Sequence, residues 1–225
     1  MSVLFVGNSY TFYNDMPDQV TALSVSDPGA ATITTERVVQ GGATLKLHHE
    51  ETGARDKIQS GGWTHVVLQE KSTGTLHDKP DFHTYVGRLG KLAKKAGAEL
   101  VLYQTWARAP GHTVYRWGWS GRKPAVMLER VAAEYNKAAG ELGALVVPVG
   151  RAWERCLAKH PRLNLYDEDL HHASPLGSHL AASVFYVSLT GRDPTPLAYQ
   201  APGVAQDDAL ALRAVAWDYR PQLAS

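Results

Sequence analysis

Five short apolar runs, separated by longer segments of helical character, constrain the fold of this chain more than any other feature. The runs cover residues 3–6, 33–39, 65–68, 100–103 and 145–148. Both faces of each run are apolar, a pattern typical of buried strands in a parallel sheet. We therefore predict a parallel sheet of about five strands, joined by right-handed crossovers.

Helices are predicted between these strands, from apolar residues spaced three and four apart. They cover residues 17–23, 81–96, 124–142 and 175–189, and a further helix at 207–219 closes the chain. Asn14 and Asp15 are candidate caps for the first helix, and Ser174 for the helix at 175–189. Alternating strands and helices predict one domain over residues 1–225, an α/β fold built as a three-layer α/β/α sandwich.

Composition excludes several classes of protein. Hydrophobic residues make up 44% of the 225 and charged residues 20%, which is typical of a globular chain. The net charge is +1 and basic residues are scattered, so neither nucleic acid nor an anionic membrane surface is an expected partner.

The single cysteine, Cys156, rules out an internal disulfide and is expected to be a buried, inert thiol. The apolar start of the chain is too short for a signal peptide or a membrane span, so a cytoplasmic location is expected.

A serine stands where open parallel sheets usually bind ligands. Residues 7–9 (GNS) directly follow the first predicted strand. Such residues are also common in ordinary turns, and a serine hydroxyl is a poor nucleophile without a base. The candidate base is His172, because Asp169, three residues earlier, can hold its Nδ1–H and leave Nε2 facing Ser9. Glu168 and His171 have the same spacing and form a competing pair.

Four short blocks, in this order, resemble the signatures of the SGNH (GDSL-like) hydrolase superfamily. They are residues 6–11 (VGNSYT), 40–44 (QGGAT), 67–72 (VLQEKS) and 169–177 (DLHHASPLG). The resemblance spans residues 7–177 and implies the flavodoxin-like SGNH fold, with Ser9 as nucleophile and His172 and Asp169 as its catalytic partners. The small and proline residues after His172 favour this pair over Glu168 and His171.

The same resemblance implies an oxyanion hole. Its donors would be the backbone N–H groups of Ser9 and Gly42 and the side-chain amide of Gln69, with Gly41 as the alternative to Gly42. The third block begins with a glutamine instead of the usual Gly-x-Asn-Asp, and so resembles the branch that includes sialate and xylan acetylesterases. Leu170 stands where the family commonly has a glycine.

The implied function is a serine esterase that hydrolyses small-molecule carboxylic esters, with small acyl groups such as acetyl and with carbohydrate among the acyl carriers. No cofactor is implied. One alternative is a thioesterase or lysophospholipase-like hydrolase that acts on longer acyl chains. A second alternative is a non-catalytic binding module on the same fold.

Several other residues are candidates for binding. Residues 105–123 form a long aromatic loop, so Trp106, Trp117 and Trp119 are candidate substrate-binding residues, although they could equally pack over a sheet edge. His48 and His49 are adjacent and point in different directions on a helix, so no metal site is predicted. His48 is expected to pack near the helix of the active site.

Overall fold

The computed structural model describes residues 1–220, and five strands within them form one parallel sheet. The strands are β1 (Ser2–Gly7), β2 (Thr34–Val39), β3 (His65–Leu68), β4 (Glu99–Tyr103) and β5 (Leu145–Val147). Their order is β2-β1-β3-β4-β5, and every neighbouring pair is parallel. The predicted parallel sheet is confirmed.

Helices connect the strands and cover the sheet. They are α1 (Ser9–Phe12), α2 (Met16–Val25), α3 (Leu45–Glu50), α4 (Ala54–Gln59), α5 (Gly74–His77), α6 (Lys79–Lys95), α7 (Pro124–Leu142), α8 (Val149–Lys159), α9 (Pro175–Thr190) and α10 (Gln206–Trp217). Short 3-10 turns lie at Tyr13–Asp15, Thr113–Arg116 and Gly118–Ser120. The helices α1, α3, α4, α5 and α8 lie outside the predicted ones, and residues 221–225 of the predicted domain lie outside the described residues.

The sheet separates two hydrophobic cores, because successive side chains of a strand point to opposite faces. On β1, Val3 and Phe5 enter the core beneath α2, α8, α9 and α10, whereas Leu4 and Val6 enter the core beneath α3, α4, α6 and α7. All four side chains are buried, and burial of each contributes roughly 1.5–3 kcal/mol. The predicted three-layer α/β/α architecture is confirmed.

Strand β2 differs from the prediction that each strand is buried on both faces. It is an outer strand of the sheet, and its residues Thr34, Glu36 and Arg37 are exposed. Among the described strands it pairs with β1 alone, so its other edge has no neighbouring strand.

In the part of the chain that the structure describes, no helix has both the length and the apolar character needed to cross a bilayer.

Candidate active site

Ser9 lies at the carboxyl end of β1 and is the first residue of α1. Asn8 caps this short helix, since its Oδ1 accepts a hydrogen bond of 3.1 Å from the N–H of Tyr10. Gly7 is required by close packing: a Cβ at this position would lie 2.6 Å from Oε1 of Gln69. The turn therefore holds Ser9 at the end of the central part of the sheet.

The side chains of Ser9, His172 and Asp169 meet in a line. Nε2 of His172 lies 2.8 Å from Oγ of Ser9, and Nδ1 lies 2.5 Å from Oδ2 of Asp169. The other carboxylate oxygen, Oδ1, accepts the backbone N–H groups of His171 and His172, both at 2.9 Å. The structure thus pairs His172 with Asp169, and Glu168, the acid of the competing pair, is exposed.

The local hydrogen bonds keep Asp169 ionised. Burial acts to raise the pKa of this carboxyl group, but the backbone N–H and imidazole of His172 and the N–H of His171 outweigh it. The net pKa of Asp169 lies well below its usual range. A carboxylate in this state fixes the tautomer of His172 with Nδ1 protonated and leaves Nε2 free to accept a proton from a hydroxyl.

Leu170 adopts an uncommon backbone conformation between the two partners. Its φ is +64°, in the left-handed region that disfavours residues with a Cβ. Its N–H donates to the carbonyl of Asp167 at 3.0 Å, and its own carbonyl accepts the N–H of Ala109 at 2.9 Å. The left-handed turn brings Asp169 back toward His172, in a conformation that glycine adopts more readily than leucine.

Two residues that were not predicted as part of the site support His172. The ring of Tyr13 stacks on the His172 imidazole, with centroids 4.2 Å apart and planes 7° from parallel. Asn14 was predicted to cap α2, but its side chain makes no capping hydrogen bond to that helix. Its Nδ2 donates instead to the carbonyl of Ala173 at 3.0 Å and to Oγ of Ser178 at 2.9 Å. The segment after Ser9 is therefore tied directly to the loop that carries His172.

The glycine block forms a tight turn beside Ser9. The N–H of Ala43 donates to the carbonyl of Gln40 at 3.1 Å, and Gly42 has a φ of +70°, which favours glycine. Nδ2 of Asn8 donates to the carbonyl of Ala43 at 2.8 Å and so links this turn to the serine. Within residues 1–220, the N–H groups of Ser9, Gly41 and Gly42 have no protein acceptor.

Gln69 does not fit its predicted role as an oxyanion donor. Its side chain is completely buried. Oε1 accepts the N–H of Asn8 and the hydroxyl of Thr11, both at 2.9 Å, and Nε2 donates to the carbonyl of Glu70. The amide therefore has no surface that a substrate can reach. Its contacts hold the backbone before Ser9 in place.

The three predicted substrate-binding tryptophans lie in different environments. Trp106 is only 1% exposed, and its ring is stacked between Tyr10, at 4.6 Å, and Trp153, at 4.0 Å. It is a core residue that supports the site from beneath, which corrects its prediction as a substrate contact. Trp119 is partly buried and packs edge-on against His77, whereas Trp117 is 63% exposed.

Two groups of histidines contain potential metal ligands, and they differ in how available their nitrogens are. Nε2 of His48 lies 2.7 Å from the carbonyl of Gly7 and Nδ1 lies 2.8 Å from the hydroxyl of Thr52, so both ring nitrogens have protein partners. Potential ligand atoms of Asp169, His171 and His172 lie within 4.8 Å of one another. Both nitrogens of His172 are already directed at Ser9 and Asp169, so binding of an ion there would disrupt this hydrogen-bonded line.

Solved structures place this arrangement in a family. A protein from Slackia heliotrinireducens, described as an SGNH hydrolase, is 32% identical to this chain, with a TM-score of 0.71. The alignment covers 83% of this chain and 97% of the other. This chain belongs to the SGNH hydrolase family.

More distantly related structures share the fold. A DUF4886 family protein from Bacteroides uniformis is 18% identical over 97% of this chain and 93% of its own, with a TM-score of 0.77. A mutant of Axe2, an acetyl-xylooligosaccharide esterase from Geobacillus Stearmophilus, is 15% identical over 82% of this chain and 91% of its own, with a TM-score of 0.60. The chain matches no family model and no curated protein.

Proposed function

We propose that this SGNH hydrolase is a serine esterase in which Ser9 is the nucleophile, His172 the general base and Asp169 the residue that orients it. One observation carries the proposal: the His172 imidazole bridges Oγ of Ser9, at 2.8 Å, and the carboxylate of Asp169. A binding module has no need of a hydroxyl aligned with a base. The alignment therefore argues against the non-catalytic alternative.

The reaction is acyl transfer to water. Oγ of Ser9 attacks the ester carbonyl as Nε2 of His172 takes the hydroxyl proton, and Asp169 stabilises the imidazolium. The developing oxyanion accepts hydrogen bonds from the backbone N–H groups of Ser9 and Gly42, each worth about 3–4 kcal/mol in the transition state. His172 then protonates the leaving alcohol, and a water molecule activated by the same imidazole hydrolyses the acyl-enzyme.

Small acyl groups, such as acetyl, suit the surroundings of Ser9. Aromatic rings of Tyr10 and Tyr13 lie against His172, with centroids 5.7 and 4.2 Å away. An apolar cavity of about 70 Å³, lined in part by Leu128 and Trp153, lies on the far side of Trp106, whose ring separates Tyr10 from Trp153. Neither Ser9 nor His172 lines this cavity, so it does not extend the serine site for a long acyl chain.

The proposal is tested by hydrolysis of p-nitrophenyl esters from acetate to octanoate. We expect Ser9→Ala to lower kcat/KM for the acetate ester by at least about 10³-fold. Ser60→Ala, the same substitution at an exposed serine of the C-terminal end of α4, serves as the matched control and should retain the rate. Equal rates for wild type and Ser9→Ala would exclude Ser9 as nucleophile. A rate that rises steadily toward octanoate would favour the thioesterase or lysophospholipase-like alternative.

A further inference from the structure

The guanidinium group of Arg108 lies near His171, the neighbour of the proposed catalytic histidine, and takes no part in the reaction described above. Nη2 of Arg108 donates to Oγ of Ser72 at 3.1 Å, and Nη1 lies 3.0 Å from Nε2 of His112. Within residues 1–220, Nε of Arg108 is buried and has no hydrogen-bond partner. The Arg108 side chain is therefore only partly satisfied by the protein.

The hydrogen bonds of His112 leave one donor without an acceptor. Nδ1 of His112 lies 2.9 Å from the N–H of Val114, which it caps, so Nδ1 must be the acceptor nitrogen. Burial and then the charge of Arg108 lower the pKa of His112, so its ring is neutral at pH 7 and carries its proton on Nε2. That proton faces the N–H of Arg108. In the other tautomer the proton is on Nδ1, where it would face the N–H of Val114. Each tautomer therefore places two N–H donors against each other with no acceptor between them.

The backbone that carries Arg108 is fixed on three sides. The hydroxyl of Tyr166 donates to the carbonyl of Ala107 at 2.9 Å, and the hydroxyl of Tyr115 donates to the carbonyl of Arg108 at 2.5 Å. The N–H of Ala109 donates to the carbonyl of Leu170, in the loop that carries Asp169. Arg108 is thus held in register with the catalytic loop, and binding an anion would cost little ordering of the chain.

His171 connects this group to the proposed catalytic histidine. Its ring centroid lies 3.9 Å from that of His172 and 5.8 Å from that of His112. Burial, followed by the charge of Arg108, lowers the pKa of His171 to about 4, so this ring is neutral at pH 7. Asp169, the carboxylate on the same side, already accepts hydrogen bonds from His171 and His172. The positive charge of Arg108 therefore favours an anion next to the catalytic residues and disfavours a metal ion.

We infer that Arg108 and His112 form a subsite for a carboxylate of the substrate, so that the enzyme prefers esters with a carboxylate close to the scissile bond. The inference rests on the proposed esterase function. The carboxylate accepts hydrogen bonds from the N–H groups of both side chains. It thereby supplies the acceptor that these two donors lack. Charge-assisted hydrogen bonds of this kind are among the strongest in proteins.

Two pairs of esters test the subsite and identify the side of the ester that carries the charge. The first pair, 2-acetoxypropanoate and its methyl ester, places the carboxylate on the alcohol side, and acetate release is measured. The second pair, monomethyl succinate and methyl pentanoate, places it on the acyl side, and methanol release is measured. In wild type we expect kcat/KM for the charged ester to exceed that for its neutral partner by about tenfold or more in one pair.

Arg108→Gln should reduce this charged-to-neutral ratio to near one, and Arg108→Lys should retain part of it. Arg116→Gln, at an exposed arginine of the same loop, is the matched control and should keep the wild-type ratio. In case Arg108→Gln does not fold, the wild-type ratio is also measured as salt is raised from about 0.05 to 0.5 M, and screening should lower it.

The outcomes separate the subsite from the esterase activity. A wild-type ratio near one in both pairs, or a ratio that neither Arg108→Gln nor salt lowers, overturns the subsite. Hydrolysis of the neutral esters that Ser9→Ala abolishes would still support the esterase in that case. If Ser9→Ala changes the rate for none of the four esters, the esterase proposal fails and the subsite fails with it.

Discussion

Nε2 of His48 lies 2.7 Å from the carbonyl oxygen of Gly7, two residues before the proposed nucleophile. The imidazole is completely buried, and burial lowers its pKa although the hydrogen bond to Gly7 acts in the opposite direction. Nε2–H therefore donates to Gly7, while Nδ1 accepts from the hydroxyl of Thr52. Helix α3 thus holds the carboxyl end of β1 through a single side chain.

Removal of this contact should impair catalysis more than substrate binding. His48→Ala removes one of the two donors to the Gly7 carbonyl and leaves the N–H of Gln40, at 3.2 Å, as the other, so the lost hydrogen bond costs about 1 kcal/mol in the free energy of unfolding. A small shift of Ser9 then lowers kcat by up to about 10²-fold with little change in KM. The measurement is kcat and KM for p-nitrophenyl acetate, with His49→Ala at the neighbouring position as the control. An unchanged kcat in His48→Ala would show that the contact does not position Ser9.

The choice between the two acid–histidine pairs gives a second prediction. Asp169→Asn keeps the shape of the side chain but removes the charge that orients His172, so kcat should fall by about 10⁴-fold. Glu168→Gln, the neighbouring control, changes an exposed side chain and should retain the rate. A larger loss in Glu168→Gln than in Asp169→Asn would assign the reaction to the pair of Glu168 and His171.

Leu170, the left-handed residue between Asp169 and His172, predicts a stabilising substitution. Leu170→Gly removes the Cβ from a backbone with φ of +64° and should raise the free energy of unfolding by about 1 kcal/mol. Leu210→Gly is the matched control, since Leu210 is similarly exposed but lies within helix α10, where glycine costs about 1 kcal/mol. Urea unfolding of both variants should give changes of opposite sign. A loss of stability in both would contradict the strain at Leu170.

Glu70 predicts a dependence of stability on pH. Burial raises the pKa of this carboxyl group from its usual 4.5 to about 7, against the opposing hydrogen bonds from the N–H groups of Leu45 and Lys71. Between pH 4.5 and 7 the unfolded chain therefore releases this proton more readily than the folded one. The free energy of unfolding falls as the pH rises, by roughly 3 kcal/mol from this group.

Urea unfolding at pH 5, 6, 7 and 8 measures this effect. Glu70→Gln removes the titrating group and should flatten the decline, whereas Glu141→Gln, at an exposed position of α7, should leave it in place. If the slope between pH 5 and 7 is the same in Glu70→Gln as in wild type, the decline has another origin.

The sheet was predictable because its signal is local. The buried parts of β1 and β3 are continuous apolar runs, and each of the five predicted runs overlaps a strand. The edge position of β2 was not predictable from its own residues, since the strand order depends on contacts between distant segments. Helix α8 has its apolar residues Val149, Ala152, Trp153 and Cys156 at helical spacing, so its signal was present in the sequence.

The site was predictable where chemistry limits the residue type and less so where packing decides the role. Asp169 and His172 follow from spacing and block order. The side-chain amide of Gln69 is a possible oxyanion donor by its chemistry. In the structure it is buried, and its Oε1 accepts a hydrogen bond from the N–H of Asn8, so the amide faces the protein interior. The indole ring of Trp106 is of a type that stacks on sugars, but it stacks on the ring of Trp153 and is part of the core. Accessibility separates these roles, and accessibility is a property of the folded chain.

The bond from Asn14 to Ala173 and Ser178 has a consequence for synthesis of the protein. Ser9 emerges from the ribosome early, but its partner His172 follows 163 residues later. The contacts that join the two segments also need Ser178, which belongs to α9. A nascent chain that ends before residue 172 therefore contains the proposed nucleophile without its proposed base, and one that ends before α9 still lacks the Ser178 contact that ties the two segments together.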